Sequence, residues 1–296
     1  MVPNIVVLTD FSLASERARA YAAVLAAPIK AELHLVHVFL PMPITTEYGM
    51  VLPVLDEDYM PNTCRHLQHM AEAIPVPTTA EVLESDWPSA IEQALIKYHP
   101  VLLVAGLTAT SNFLDEWFSN RAVPVPHQTG CPLLLVPEHL PDAALHQPRR
   151  LALAVEDRPF RLAPAAKAVS FLLDGLNLDT VAVTVLPAAE IIGGGSGLRA
   201  VQRSGLATGI AGCGLYKVAG QQAGSGILQA VQELEADLVA LLDQDHGWAH
   251  KLFRGSVIDY VLRHTSVPVL LLSAQVFDAE PAAEKNPVLT TATANL

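Results

Sequence analysis

The sequence predicts an α/β protein made of two tandem, doubly wound parallel sheets of five strands each. Three features of its 296 residues lead there. Short unbroken apolar runs read as strands covered on both faces, the mark of a parallel sheet. Apolar helical faces alternate with them, which builds right-handed βαβ units. The same order of elements then occurs a second time, as expected of a duplicated unit.

The first run, Ile5-Val6-Val7-Leu8-Thr9, ends on the carboxylate of Asp10. Ser12 is a natural N-cap, and Ala18, Tyr21, Ala22 and Leu25 form one helical face after it. Residues 33–39 make a second strand, followed by a long proline-bearing loop over 41–53 and a helix over about 57–73. A third strand falls near 80–83, and Pro88 starts a helix that Pro100 stops beyond Tyr98. Residues 101–105 are the fourth strand, and after an irregular loop and helix 132–137 is the fifth.

In the second half, residues 151–155 form a strand ending in Glu156-Asp157, and Leu162, Ala165, Ala166 and Val169 mark the expected helix face after it. Strands are predicted at 180–186, more weakly at 216–218, at 237–242 and at 268–272, with a helix over about 227–235 and another opening at Gly255-Ser256. Pro268 matches Pro132 of the first half. The polar, proline-punctuated stretch 138–148 reads as a linker, which gives domains over 1–140 and 149–274. The aperiodic stretch 275–296 reads as a disordered tail. Gly193-Gly194-Gly195-Ser196-Gly197 fits neither GxGxxG nor GxxxxGK[ST] and reads as a flexible stretch before a helix.

Composition narrows the function classes. Apolar residues are 51% and charged residues 16% of the chain, enough for a buried core and unlike a disordered protein. A formal charge of −12 disfavours nonspecific contact with nucleic acid or anionic membranes. No stretch reaches the roughly 18 apolar residues of a membrane span. The opening Met1-Val2-Pro3-Asn4 has no basic region of a secretion signal, so a cytoplasmic location is expected. Cys64, Cys131 and Cys213 are widely spaced and form no CxxC, so they read as buried or half-buried thiols.

Over essentially its whole length to about Leu272, the chain resembles the universal stress protein family. The resemblance rests on Val6-Val7-Leu8-Thr9-Asp10-Phe11-Ser12, on Ala236-Asp237-Leu238-Val239, and above all on the long closing run from Gly255-Ser256-Val257-Ile258-Asp259-Tyr260 through Pro268-Val269-Leu270. It implies an adenine nucleotide alpha hydrolase-like fold with strand order 3-2-1-4-5. The two fifth strands would pair across a pseudo-twofold axis, giving a dimer-like arrangement within one chain. Further homo-oligomerisation is also family-like.

Nucleotide-binding members of that family carry G-x2-G-x9-G-[S/T] after the fourth strand, where glycines admit phosphates to the backbone at a helix N-terminus. An acid after the first strand holds the ribose or a magnesium ion. In the first half Gly106 fits the first glycine, while Ala109, Ser119 and Asn120 replace the rest. In the second half Leu242 and Asp245 replace the first two, and Gly255 and Ser256 stand at the end. The resemblance therefore nominates Asp10, Gly106, Asn120, Glu156, Gly255 and Ser256 as contacts for ATP with magnesium, in two sites that are each incomplete. A simpler reading of Asp10 and of Ser256 is helix capping.

Other chemistry has less support. His246 and His250, with Asp243 and Asp245 upstream, have helical spacing for a metal, and Cys64, His66 and His69 form a looser cluster. No GxSxG elbow is present, and no serine- and glycine-rich loop follows the first strand, so no catalytic residue is nominated. His264 reads as a packed histidine. The resulting reading is a non-enzymatic sensor or regulatory protein of the stress response with weak or single-site ATP binding. The alternatives are a scaffold that binds a protein partner instead of nucleotide, and a metal-dependent hydrolase built on the Asp243–His250 cluster.

Overall fold

The structure, a computed structural model, describes residues 2–39, 43–45, 51–53, 58–108, 129–190, 193, 195–244 and 257–276. The first half runs β1 (Asn4–Thr9), α1 (Leu13–Ile29), β2 (Glu32–Phe39), β3 (Pro43–Thr45), β4 (Val51–Pro53), α2 (Tyr59–Glu72), β5 (Thr78–Glu84), α3 (Trp87–Tyr98), β6 (Leu102–Leu107) and β7 (Leu133–Pro137). The second runs β8 (Arg150–Ala154), β9 (Phe160–Leu162), α4 (Ser170–Leu176), β10 (Asp179–Leu186), α5 (Gly195–Arg203), β11 (Gly214–Ala219), α6 (Ala223–Glu233), β12 (Leu238–Gln244), α7 (Val257–His264) and β13 (Val269–Val276).

The strand order within the first half is β5-β2-β1-β6-β7 and within the second β11-β10-β8-β12-β13, so both read 3-2-1-4-5. Neighbours within each half are parallel. The fifth strands, β7 and β13, pair antiparallel with Leu133 opposite Leu271, Leu134 opposite Leu270 and Leu135 opposite Val269. The two predicted sheets are therefore one continuous sheet, joined through leucine and valine pairs that are buried on both strands. Alternate residues of that sheet feed two layers of core. Val7, Leu35 and Val104 meet Tyr21 and Leu25 of α1 and Leu67 of α2 on one side. Val6, Val36 and Leu103 share the layer on the other side with Ile91 of α3, and that layer continues in the second half to Ile227 of α6 and Val261 of α7.

The halves repeat their hydrogen bonds as well as their strands. Asn4 Nδ2 at the start of β1 donates to the Tyr98 carbonyl at the end of α3 (2.6 Å). Arg150 Nη1 at the start of β8 donates to the Leu234 carbonyl just past α6, also at 2.6 Å. The third strand and third helix are likewise tied twice. Glu81 of β5 accepts from Lys97 and Tyr98 of α3 (2.7 and 2.6 Å), and Tyr216 of β11 bonds Glu233 of α6.

Four expectations need correction. The helix expected from Leu162 to Val169 is instead the short strand β9 followed by a 3-10 turn over Ala165–Val169, with α-helix only from Ser170. β9 pairs antiparallel with β13, Phe160 opposite Val276 and Leu162 opposite Ala274, which buries Phe160 and Leu162 without a helix. The loop expected over 41–53 contains the antiparallel pair β3 and β4. Cys64 is exposed, whereas Cys131 and Cys213 are buried. His264 is exposed too, stacked on Tyr260 (centroids 4.3 Å apart) with Nδ1 against the Tyr260 carbonyl.

Candidate functional site

In a doubly wound sheet, ligands sit beyond the carboxyl ends of the strands where the order reverses. Here that is between β1 and β6 in the first half and between β8 and β12 in the second. Because β7 and β13 are antiparallel, the two crevices open at opposite ends of the sheet. Asp10 and Gly106 are thus brought together at one end, and Glu156 stands alone among the described candidates at the other. Asn120, Gly255 and Ser256 lie outside the described residues, as does the 245–250 part of the histidine and aspartate cluster.

The first-half corner is a connected polar turn. Asp10 Oδ1 accepts from the backbone N–H of Ser12 (3.0 Å) and from its hydroxyl (2.5 Å). Ser12 in turn is the N-cap of α1, its Oγ accepting from the Ser15 N–H (3.2 Å). Thr9 Oγ1 donates to Ser15 Oγ (3.2 Å) and accepts from the Phe11 N–H (3.3 Å). To close this turn Phe11 takes a φ of 64°, a left-handed conformation that a bulky residue adopts only when neighbours impose it. Its ring lies 4.6 Å from that of His37, whose Nδ1 contacts the Thr9 carbonyl (2.8 Å), and 5.4 Å from that of His66. Asp10 itself is exposed, so the acid is presented to solvent beside the positive end of α1.

Gly106 explains how α1 reaches that position. A Cβ on Gly106 would come within 2.3 Å of the Ala14 carbonyl carbon and 2.6 Å of its oxygen. The first turn of α1 therefore rests on the bare backbone of β6, and the glycine is required by helix packing before any ligand is considered.

The second-half corner is built differently. Glu156 is exposed and has Arg158 Nε 3.7 Å from its carboxylate. No helix starts behind it, since the chain runs on into β9. Asp157 instead reaches α5, where its Oδ1 accepts from the N–H groups of Ser196 (2.7 Å) and Gly197 (3.2 Å). Gly197 is bare because a Cβ there would lie 2.3 Å from the Glu156 carbonyl oxygen. The glycine-rich stretch read as flexible thus supplies the first turn of a helix at Gly195–Gly197. Sequence reasoning missed this role of Asp157. The available signal was an acid within reach of a glycine-rich helix start, which has no fixed spacing in sequence.

Asp237, in the Ala236-Asp237-Leu238-Val239 motif, is a structural staple. Its Oδ2 accepts from the N–H groups of Arg149 (2.7 Å) and Arg150 (3.0 Å), which ties the start of β8 to the start of β12. Among the described residues no group of three or more His, Cys, Asp or Glu side chains is placed to hold a metal ion. His66 and His69 are engaged separately, with Phe11 and with Glu72 (3.5 Å). No described helix is long and apolar enough to cross a membrane.

Comparison with known proteins agrees with this architecture. The profile of the universal stress protein family matches residues 1–137 and 215–273. The stretch between the matches includes β8, β9, α4, β10 and α5, where the second half departs from the first. A universal stress protein of Archaeoglobus fulgidus has a solved structure that aligns with 91% of this chain and 96% of its own, at 17% identity and a TM-score of 0.58. A putative universal stress protein of Pseudomonas aeruginosa aligns with 92% of this chain and 94% of its own, at 15% identity and a TM-score of 0.51. No curated protein matches the sequence.

Proposed function

We propose, on the premise that this chain belongs to the universal stress protein family, that it is a regulatory protein of the stress response that works by binding an adenine nucleotide rather than by catalysis. The observation that carries this reading is the corner formed by Asp10, the Ser12-capped start of α1 and Gly106 at the reversal point of the first-half sheet. An exposed carboxylate there suits vicinal hydroxyls, which donate to it. The same carboxylate suits a magnesium ion, which would offset the chain's negative charge as a polyphosphate approaches. An acceptor of this kind fits the sugar end of a nucleotide. Contacts to its phosphates would fall to Asn120 of the same half; Gly255 and Ser256 belong to the separate crevice at the opposite end.

Binding is expected to be weak or confined to a single half, because each half keeps only part of the phosphate-loop pattern. The test is calorimetric titration of the full chain with ATP and magnesium. Saturable binding, weakened about tenfold or more by Asp10→Ala through loss of charge-assisted hydrogen bonds, is the expected result. Absence of binding at millimolar nucleotide sinks the reading and leaves the scaffold alternative, in which the degenerate crevices serve a protein partner.

A further inference from the structure

The two halves use the end of their first strand in opposite ways. In the first half the chain turns at Asp10 directly into α1, whose N-terminal turn lies on Gly106 and faces the crevice. In the second half β8 ends at Ala154, and Val155 continues the parallel pairing by donating to the Val183 carbonyl (2.9 Å). The chain then passes the carboxyl ends of β12 and β13, since β9 is bonded to the far side of β13 at Ala274–Val276. Val155, Phe160 and Leu162 are buried along this route against Leu242, Leu272 and Ala274, so the crossing is part of the core. Ala163 N–H adds a bond to the Ser273 carbonyl (2.9 Å).

Among the described residues, the helix N-terminus that meets this crossing, that of α5, is already satisfied from within. Asp157 puts a carboxylate on the N–H groups of Ser196 and Gly197, the groups a bound anion would use. The contact is tight on the other side also, since the Glu156 carbonyl occupies the space where a Gly197 side chain would be. A phosphate or a ribose entering this corner would have to displace a charged group bonded at 2.7 Å and meet its charge at close range.

We infer that the second half is closed by its own chain, with Asp157 as the built-in anion on α5, so that the protein takes one nucleotide per chain at the Asp10 end. This rests on the nucleotide reading above for its ligand, but the closure itself is a property of the ligand-free protein. Function would then be divided between the halves: one presents a ligand corner, and the other contributes the sheet that completes the pairing of fifth strands.

The experiment is hydrogen exchange on the full chain with and without ATP and magnesium, together with binding stoichiometry. One equivalent per chain, with slowed exchange over 9–16 and none over 155–162 or 195–203, is the expected outcome. Two equivalents, or nucleotide-dependent slowing over 155–162 or 195–203, overturns the inference. If no nucleotide binds, the ligand reading fails on its own and the ligand-free exchange decides the closure. The Ser196 and Gly197 amides should be slow in the unmodified chain and about 3- to 30-fold faster in Asp157→Ala, the loss expected of a helix cap. Equal rates in the two proteins refute it.

Discussion

Replacing Gly106 with alanine separates a packing role from a ligand role at the same residue. The added Cβ would lie 2.3, 2.6 and 2.7 Å from the carbonyl carbon, oxygen and Cβ of Ala14. Carbon atoms in contact prefer about 3.5–4.0 Å, so α1 must retreat by about 1 Å at its first turn. Two of the three obstacles are backbone atoms, which no rotamer change can move aside. The helix cannot retreat freely, because Ala14, Ala18, Tyr21 and Ala22 are buried behind it and Ser12, Ser15 and Thr9 fix its start. Overpacking of this kind costs about 1–3 kcal/mol, and backbone obstacles place this site at the upper end. For a chain of this size that is a fall of roughly 5–10 °C in the unfolding midpoint followed by circular dichroism. Gly209→Ala is the control, since nothing lies within 4 Å of its added Cβ. An unchanged midpoint in Gly106→Ala would refute the packing argument and return the glycine to a purely ligand-facing role.

Other perturbations follow from single contacts. Asp237→Ala leaves two strand-start N–H groups without their acceptor and should cost about 1–3 kcal/mol in urea unfolding, with Asp237→Asn recovering much of it. His34 is buried, stacked on Tyr98 (4.0 Å) and bonded through Nδ1 to Thr79 (2.7 Å), and desolvation holds its pKa below the ordinary histidine value. The unfolded chain therefore takes up this proton first, so stability should decline as pH falls below about 6.5 and His34→Gln should flatten that slope. Glu81 adds to the loss further down. Burial alone would raise its carboxyl, but hydrogen bonds from Lys97 and Tyr98 outweigh that and hold it below the usual value, so its contribution disappears below about pH 4.5. Thiol titration of the native chain should find one fast cysteine, the exposed Cys64, because burial pushes the Cys131 thiol up to about 12 and raises Cys213 as well; three fast thiols would contradict the described burial. Lys97→Glu should cost about 1 kcal/mol or less by facing Glu81 with a like charge, and adding Glu81→Tyr should restore the loss by recreating the Tyr216–Glu233 pair.

The parallel sheet was legible because its strands are covered on both faces and must therefore be apolar without interruption. Residues 101–105 and 132–137 read directly as β6 and β7, and the matching of Pro132 with Pro268 located the strands that join the halves. Helix ends were less legible. Lys30, His99, Asn177 and Glu235 all close helices in the left-handed conformation with no glycine to announce it. The error over 162–169 has a different cause. Leu162, Ala165, Ala166 and Val169 do share a buried side, but a strand followed by a 3-10 turn can bury such a set as well as an α-helix can. Choosing between them needed the free edge of β13, which is a fact of tertiary structure.

The candidate site was legible only as far as its chemistry coincides with local capping. Asp10 and Ser12 were found because an acid and a hydroxyl at a strand-to-helix turn satisfy N–H groups of the cap and the first helical turn, a rule that operates over three residues. Asp157 answers the same need for α5, but across 39 residues of chain, where no local rule applies. The repeats point the same way. Asn4 and Arg150 share no chemistry except a donor, yet each caps the end of the third helix from the start of the first strand, because the fold leaves a carbonyl open at that point in both halves. Where the backbone sets the demand, the two halves answer it with different residues and keep the fold. At the carboxyl ends of the first strands the paths themselves diverge, α1 in one half and β9 in the other, so the demand differs and so must the chemistry. Acids at matching positions, Asp10 and Glu156, therefore do not make equal sites; the element that follows each acid decides what it can hold.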